Sequence, residues 1–190
     1  LLFRIFCAPV KDRIIINPPT YGMYNVSANI NDVFVDKVLL TEDFQLQPDK
    51  ILSRVTDFTK LIFVCSPNNP TANDIHKDDI FRLLKEFTGL VVVDEAYIDF
   101  SEEESWAKEI DNYPNLVVLQ TMSKAFGLAG IRLGIALANP EVINYMMKVK
   151  APYNVNKLTS DIALKAFDAE ENITSNIDSI IQERIRVEKE

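Results

Sequence analysis

A chain of 190 residues with 20 Lys and Arg against 28 Asp and Glu carries a formal charge of −8, and 47% of its residues are hydrophobic. That composition excludes a disordered chain and suffices for one sizeable core, while the acidic balance without a Lys/Arg cluster argues against a nucleic-acid partner. No apolar run approaches the roughly 20 residues that a membrane-spanning helix requires, and the opening Leu1-Leu-Phe-Arg-Ile-Phe-Cys-Ala-Pro9 has neither a basic start nor a small-residue cleavage site, so no membrane partner and a cytoplasmic location are expected.

In chain order, the first residues read as an apolar helical stretch. Short apolar runs then alternate with amphipathic ones, as in parallel strands buried under crossover helices. Strands are predicted at Arg13 to Asn17, Asp32 to Leu40, Lys60 to Ser66, Leu90 to Asp94, Leu116 to Thr121 and Leu133 to Ala138. Helices are predicted at Tyr21 to Ile30, Pro48 to Val55, Lys77 to Phe87 and Pro140 to Val149. In the last, Val142, Ile143, Met146, Met147 and Val149 are expected on one apolar face. Ser101 to Asn115 reads as an acidic, polar insertion, and from Asn156 onward the chain reads as mostly helical. The fold class is therefore α/β, with a mixed, mostly parallel sheet flanked by helices. Neither end carries a cap or a stop signal, so both are expected to be cut from a longer chain.

The two cysteines, Cys7 and Cys65, lie apart in apolar surroundings, which suits buried reduced thiols. With His76 as the single histidine, His-based triads and multi-His metal sites have little to work with. The triplets beginning at Asn25 and Asn172 match the glycosylation sequon and, without a secretory leader, read as chance. Neither GxxxxGK[ST] nor GxGxxG occurs, and Ser123 lacks both a GxSxG setting and a histidine partner.

Polar residues placed directly after apolar runs carry the information, because open α/β sheets bind ligands at the carboxyl ends of their strands. Four such ends stand out: Asn17-Pro-Pro-Thr-Tyr21, Ser66-Pro-Asn-Asn-Pro-Thr71, Asp94-Glu-Ala-Tyr97, and Thr121-Met-Ser-Lys124 continuing through Ala-Phe-Gly-Leu-Ala-Gly-Ile131 to Arg132. Singly, each has a plain explanation. An Asp ending a strand is commonly a turn residue, a loop Lys is commonly solvated, and Tyr21 could be core packing. Together, a lysine able to form a Schiff base, an aspartate able to face a pyridinium nitrogen, and Ser, Thr and Arg able to grip a phosphate describe a site for pyridoxal 5′-phosphate.

These segments resemble the fold-type I aminotransferases. More narrowly, Pro19-Thr-Tyr-Gly-Met-Tyr24, Cys65-Ser-Pro-Asn-Asn-Pro-Thr71 and Ala151-Pro-Tyr-Asn-Val-Asn156 are similar to the histidinol-phosphate aminotransferases, in order from about Leu1 to Asn156. The resemblance implies Lys124 as the catalytic Schiff-base lysine, Asp94 as partner of the ring nitrogen, and Tyr97 and Asn69 as donors to the ring 3-oxygen. It further implies Thr121, Ser123 and Arg132 as the phosphate cup, Tyr21 stacked on one ring face and Ala96 against the other. Imine chemistry at Lys124 needs some neutral amine, which partial burial beside Arg132 would favour.

By the same resemblance, residues 1–156 are a cofactor-binding large domain lacking its beginning, and 157–190 lead toward a small domain. A glycine-containing phosphate loop would precede Leu1, a substrate-carboxylate arginine would follow Glu190, and a tyrosine would come from the partner of a homodimer. The implied reaction is transamination between histidinol phosphate and 2-oxoglutarate, giving glutamate, in histidine biosynthesis. Enzymes acting on aromatic amino acids or decarboxylating threonine phosphate share the cofactor residues, and a non-catalytic cofactor-binding or dimerising module is the alternative of another class. Where the family usually has glycine after Asn-Pro-Thr this chain has Ala72, which is strained if the position needs a positive φ.

Overall fold

In the computed structural model, residues 1–189 are described, and of residues 170–172 only the backbone. Glu190, the last residue of the helical segment read from the sequence, and the Asn172 side chain of the second sequon-like triplet lie outside that description. The elements run α1 (Leu2–Phe6), β1 (Arg13–Ile16), α2 (Met23–Ile30), β2 (Phe34–Lys37), α3 (Pro48–Ser53), β3 (Thr59–Cys65), α4 (Lys77–Glu86), β4 (Leu90–Asp94), β5 (Leu116–Thr121), β6 (Gly134–Ala138), α5 (Pro140–Val149), α6 (Lys157–Phe167) and α7 (Glu170–Glu188).

The strands form one six-stranded sheet in the order β2-β1-β3-β4-β5-β6. The first four pairings are parallel and β5–β6 is antiparallel. Alternation along each strand splits the core into two layers. Ile15, Ile62, Val64, Val91, Val93, Leu116 and Val118 pack with residues of α3 and α4 on one face. Ile14, Ile16, Leu61, Phe63, Cys65, Val92 and Val117 pack with residues of α1, α2 and α5 on the other. Double-sided burial is why these strands read as unbroken Val/Ile/Leu runs. Cys7 and Cys65 are both buried free thiols, the former pushed up to about 12 and the latter to about 11, mainly by burial.

Three expectations are corrected. The run Asp32 to Leu40 is a strand only over Phe34–Lys37, because β1 ends at Ile16 and the chain then pairs singly, Val38 N–H with Ile16 C=O and Leu40 N–H with Pro18 C=O. On α5, Val142 is buried whereas Met147 and Val149 are about half exposed, at 57% and 47%. Met147 projects away from the Val142–Met146 side that meets the sheet, whereas Val149 lies on that side as the last residue of the helix, so the apolar face is both narrower and shorter than the residue types suggest. The Ser101 to Asn115 stretch is no merely polar insertion: it holds a short 3-10 turn, Trp106–Glu109, and buries Trp106, whose ring meets Phe81 at 4.7 Å.

Candidate functional site

Strand order sets the place of the site. The chain runs from β1 outward to β2 and returns to β3 on the other side of β1, so a crevice opens at the carboxyl edge of β1 and β3. α2 and the loops after β3, β4 and β5 converge there. Because β6 is antiparallel, with Thr121 opposite Gly134, the segment entering it also lies at that edge and brings Arg132 beside the end of β5. A cavity of about 740 Å³ results, lined by Tyr21, Asn69, Asp94, Ala96, Tyr97, Thr121, Ser123, Lys124 and Arg132. All nine residues singled out in the sequence thus border one space.

Pleating decides what Asp94 and Glu95 face. Asp94 continues the face of Val92, in register with Cys65, and points toward α2 and the cavity. Glu95 is 1% exposed and points the other way. Its carboxylate accepts from Ser105 Oγ at 2.6 Å, Trp106 N–H at 2.6 Å and Gln120 Nε2 at 2.9 Å, pinning the 101–115 excursion to β4 and β5.

Asp94 Oδ1 accepts the Ala96 N–H at 3.1 Å, the turn role that its position alone suggests, and Oδ2 accepts the Tyr24 hydroxyl at 2.6 Å. Burial pushes its carboxyl above the ordinary value, and those two donors pull back toward the charged form. Among the described residues no cation forms an ion pair with it.

Asn69 Nδ2 reaches Tyr97 Oη at 3.5 Å, and Lys124 Nζ lies 5.0 Å from the Tyr97 ring centroid, within cation–π range. Lys124 is exposed, which corrects the expectation of partial burial: it follows β5 on a turn at the cavity rim. Thr121 Oγ1 and Ser123 Oγ are 3.0 Å apart, and Thr121 Oγ1 also accepts the Ser123 N–H. Arg132 adopts the left-handed region, φ 55°, ψ 43°. It is exposed and donates from Nη1 to Ala129 C=O at 2.9 Å, with no carboxylate bound among the described residues. Its guanidinium is therefore available for an oxyanion. Tyr21, 44% exposed, meets Tyr24 edge-on at 5.5 Å and 84°, so it borders the cavity and is not core.

The residue that sequence reasoning left without a role is Tyr24. The available signal is an aromatic on the first turn of α2 directly after the Asn17-Pro-Pro-Thr-Tyr21 strand end, where a turn bond from Tyr24 N–H to Tyr21 C=O keeps the two residues together. The partner of the Tyr24 hydroxyl stands 70 residues away and no local pattern names it.

Ala72 has φ 61°, and its N–H closes the Asn-Pro-Thr turn on Asn68 C=O at 2.8 Å. Left-handed backbone costs alanine more than glycine, so Ala72→Gly should stabilise the fold by about 0.5–1 kcal/mol, read as a raised denaturation midpoint at unchanged m-value. A lowered midpoint would contradict strain at this turn.

The comparisons with known proteins agree with this geometry. The sequence profile of the family "aminotransferase class I and II" matches residues 1–190. Histidinol-phosphate aminotransferase of Flavobacterium johnsoniae is 58% identical over 184 residues, 97% of this chain and 53% of that protein. The enzyme of the same name from Bacteroides thetaiotaomicron is 50% identical over 190 residues, 100% and 55% of the two chains. Among solved structures, histidinol-phosphate aminotransferase from Clostridium acetobutylicum aligns with a TM-score of 0.84 at 28% identity, covering 93% of this chain and 55% of that one. The one from Sinorhizobium meliloti in complex with pyridoxal-5′-phosphate shares the fold, with a TM-score of 0.88 at 20% identity over 98% and 52% of the two chains. The chain spans about half the length of the curated relatives it matches. With the profile running from first residue to last and relatives at 58% and 50% identity over nearly the whole chain, the chain belongs to the class I and II aminotransferases.

Proposed function

We propose that this chain carries the cofactor site of a pyridoxal 5′-phosphate-dependent aminotransferase that exchanges the amino group of histidinol phosphate with 2-oxoglutarate. The observation that carries the reading is one cavity holding both a half-buried carboxylate, Asp94, with no cation paired to it among the described residues, and an exposed lysine, Lys124. The choice of substrate is supported by relatives named histidinol-phosphate aminotransferase at 58% and 50% identity.

The residues fit the cofactor. Asp94, desolvated and short of a counter-charge, suits a protonated ring nitrogen. Arg132, exposed and paired with no carboxylate among the described residues, and the paired hydroxyls of Thr121 and Ser123 suit a phosphate dianion. Asn69 and Tyr97, side by side, suit the ring 3-oxygen. Tyr21 is assigned to one ring face and Ala96 to the other.

When bound, pyridoxal phosphate supplies a carbonyl carbon for the substrate amine and an electron sink for the bond at Cα. Asp94 keeps positive charge at the ring nitrogen. Lys124, its amine set free when the substrate amine takes its place, would take the proton from substrate Cα and give it back at the far end of the new imine, serving as base and then acid at one nitrogen. Its exposure leaves the amine able to reach both atoms. Arg132 anchors the phosphate end while the carbonyl end changes partner, and a lysine there would keep the charge but lose the bidentate grip.

We assign residues 1–156 to the large domain and residues 157–190 to a helical passage toward a small one. A cytoplasmic homodimer is the proposed working form. Surface apolar residues such as Tyr153, 93% exposed, and Leu158, 74% exposed, support a covering second copy.

The test is an absorbance titration of the protein with pyridoxal phosphate, followed by borohydride reduction, peptide mapping and a substrate panel. A reduced adduct on Lys124 and the highest kcat/KM for histidinol phosphate are expected. An adduct with better turnover of an aromatic amino acid would overturn the substrate, and no adduct would overturn the cofactor.

A further inference from the structure

We propose that Tyr24 is a positioning residue of the cofactor site, holding the Asp94 carboxylate through its hydroxyl and the Tyr21 ring through a perpendicular ring contact. The inference rests on the use of Asp94 and Tyr21 as cofactor contacts proposed above.

Tyr24 lies on the first turn of α2 and is 5% exposed. Its ring stacks on Phe63 of β3 at 4.9 Å and 26°, and Phe63 stacks in turn on Phe3 of α1 at 5.5 Å and 14°. That column fixes the ring, so the hydroxyl reaches Asp94 Oδ2 at 2.6 Å without a rotamer search. The Tyr21 ring also meets Tyr24, with centroids 5.5 Å apart and planes at 84°. One buried side chain therefore touches both the carboxylate meant for the ring nitrogen and the aromatic meant for the ring face.

The hydroxyl has one proton and one direction in which to use it. Burial, with Cys65 and Asp94 beside it, drives Tyr24 far above its ordinary value, so it remains a donor wherever the protein is folded. Asp94 Oδ2 is then always an acceptor, and the Ala96 N–H holds Oδ1. With both oxygens engaged, the carboxylate plane cannot turn, and each oxygen keeps a lone pair for a further donor. The titratable groups facing Asp94 are Tyr24 from α2 and Cys65 from β3, and the cations Lys124 and Arg132 line the same cavity. Cys65 stays a neutral thiol at working pH, its value pushed up to about 11, so it neither neutralises nor repels the carboxylate.

Tyr24→Phe removes the oxygen and keeps the aromatic column. In the ligand-free protein, the melting-temperature gap between wild type and this variant should widen as pH rises through the ionisation of Asp94, because a hydroxyl donates more strongly to a carboxylate than to its acid. A purely structural role would leave the gap flat. In titrations with pyridoxal phosphate, the variant should bind about tenfold to a hundredfold more weakly. Its loss of binding on the acid side should move to higher pH, since Asp94 without that donor protonates sooner. In an Asp94→Asn background the same change should cost cofactor affinity little further, as no carboxylate charge is left there for the hydroxyl to hold.

A flat gap, or equal affinity with an unmoved pH profile beside a wild type that binds, overturns the role of Tyr24 alone. A wild type that takes up no cofactor overturns the functional proposal itself. Fully additive effects of Tyr24→Phe and Asp94→Asn also overturn the positioning role.

Discussion

Replacing Lys124 by alanine is expected to reduce transamination to background, a loss of at least about 10⁴-fold for a group that serves as covalent attachment point and as proton carrier. The fold should not notice. Lys124 is exposed, its ammonium lies over the Tyr97 ring and its carbonyl, which alanine keeps, accepts the Gly127 N–H, so stability should stay within about 0.5 kcal/mol, the usual range for a surface change. The two readouts separate chemistry from structure. Circular dichroism and melting should match the wild type, whereas the borohydride-fixed adduct at position 124 should vanish. Weak uptake of cofactor should survive through Arg132, Thr121, Ser123 and Asp94, which do not depend on the lysine. Turnover retained at a tenth of wild type would remove Lys124 from the mechanism.

Asp94→Asn should have the second-largest effect, with opposite signs in the free and loaded protein. Burial raises the Asp94 carboxyl above its ordinary value, against the pull of Tyr24 and Ala96. For an acid raised by folding, the contribution to stability is full below the ordinary carboxylate range and is lost as pH rises through the higher, folded value. The ligand-free wild type is therefore penalised by this group near neutral pH and not in acid. Asparagine is isosteric, still accepts from the Tyr24 hydroxyl and never ionises. The ligand-free variant should melt at or above the wild type near neutral pH, and that advantage should disappear on acidification. With cofactor and substrate present the order reverses. Without a fixed negative charge at the ring nitrogen, turnover should fall on the order of a hundredfold or more, the scale of losing one preorganised electrostatic partner. A variant that turns over normally, or whose ligand-free stability follows pH as the wild type does, would show that Asp94 has no such role.

Much of this was legible along the chain because the signals are local. Apolar runs located β4 and β5 to the residue, since strands buried on both faces show no alternation to confuse their ends. Pro140 preceded by Asn139 marks the start of α5, where the Asn139 side chain accepts the Glu141 N–H. The nine cavity residues could be picked out because each follows a strand or enters one, and strand ends of an open sheet share an edge. The αL strain at Ala72 was legible too, from a turn motif carrying the wrong residue type.

What the sequence by itself determined, then, is the order of strands and helices, the residues at the strand ends and the chemistry that those residue types allow. Only the tertiary structure decided how adjacent residues divide their duties. Asp94 faces α2 and the cavity while Glu95 turns to Trp106, because the pleat sends neighbours to opposite faces and the sheet is covered differently on each. It also decided that Trp106 anchors an acidic excursion, that Met147 stays outside the core, and that Lys124 stands at the rim. Tyr24 shows the reason most plainly: its contact spans 70 residues of chain, and a partner at that separation is set by strand order and register, which no local pattern of residues contains.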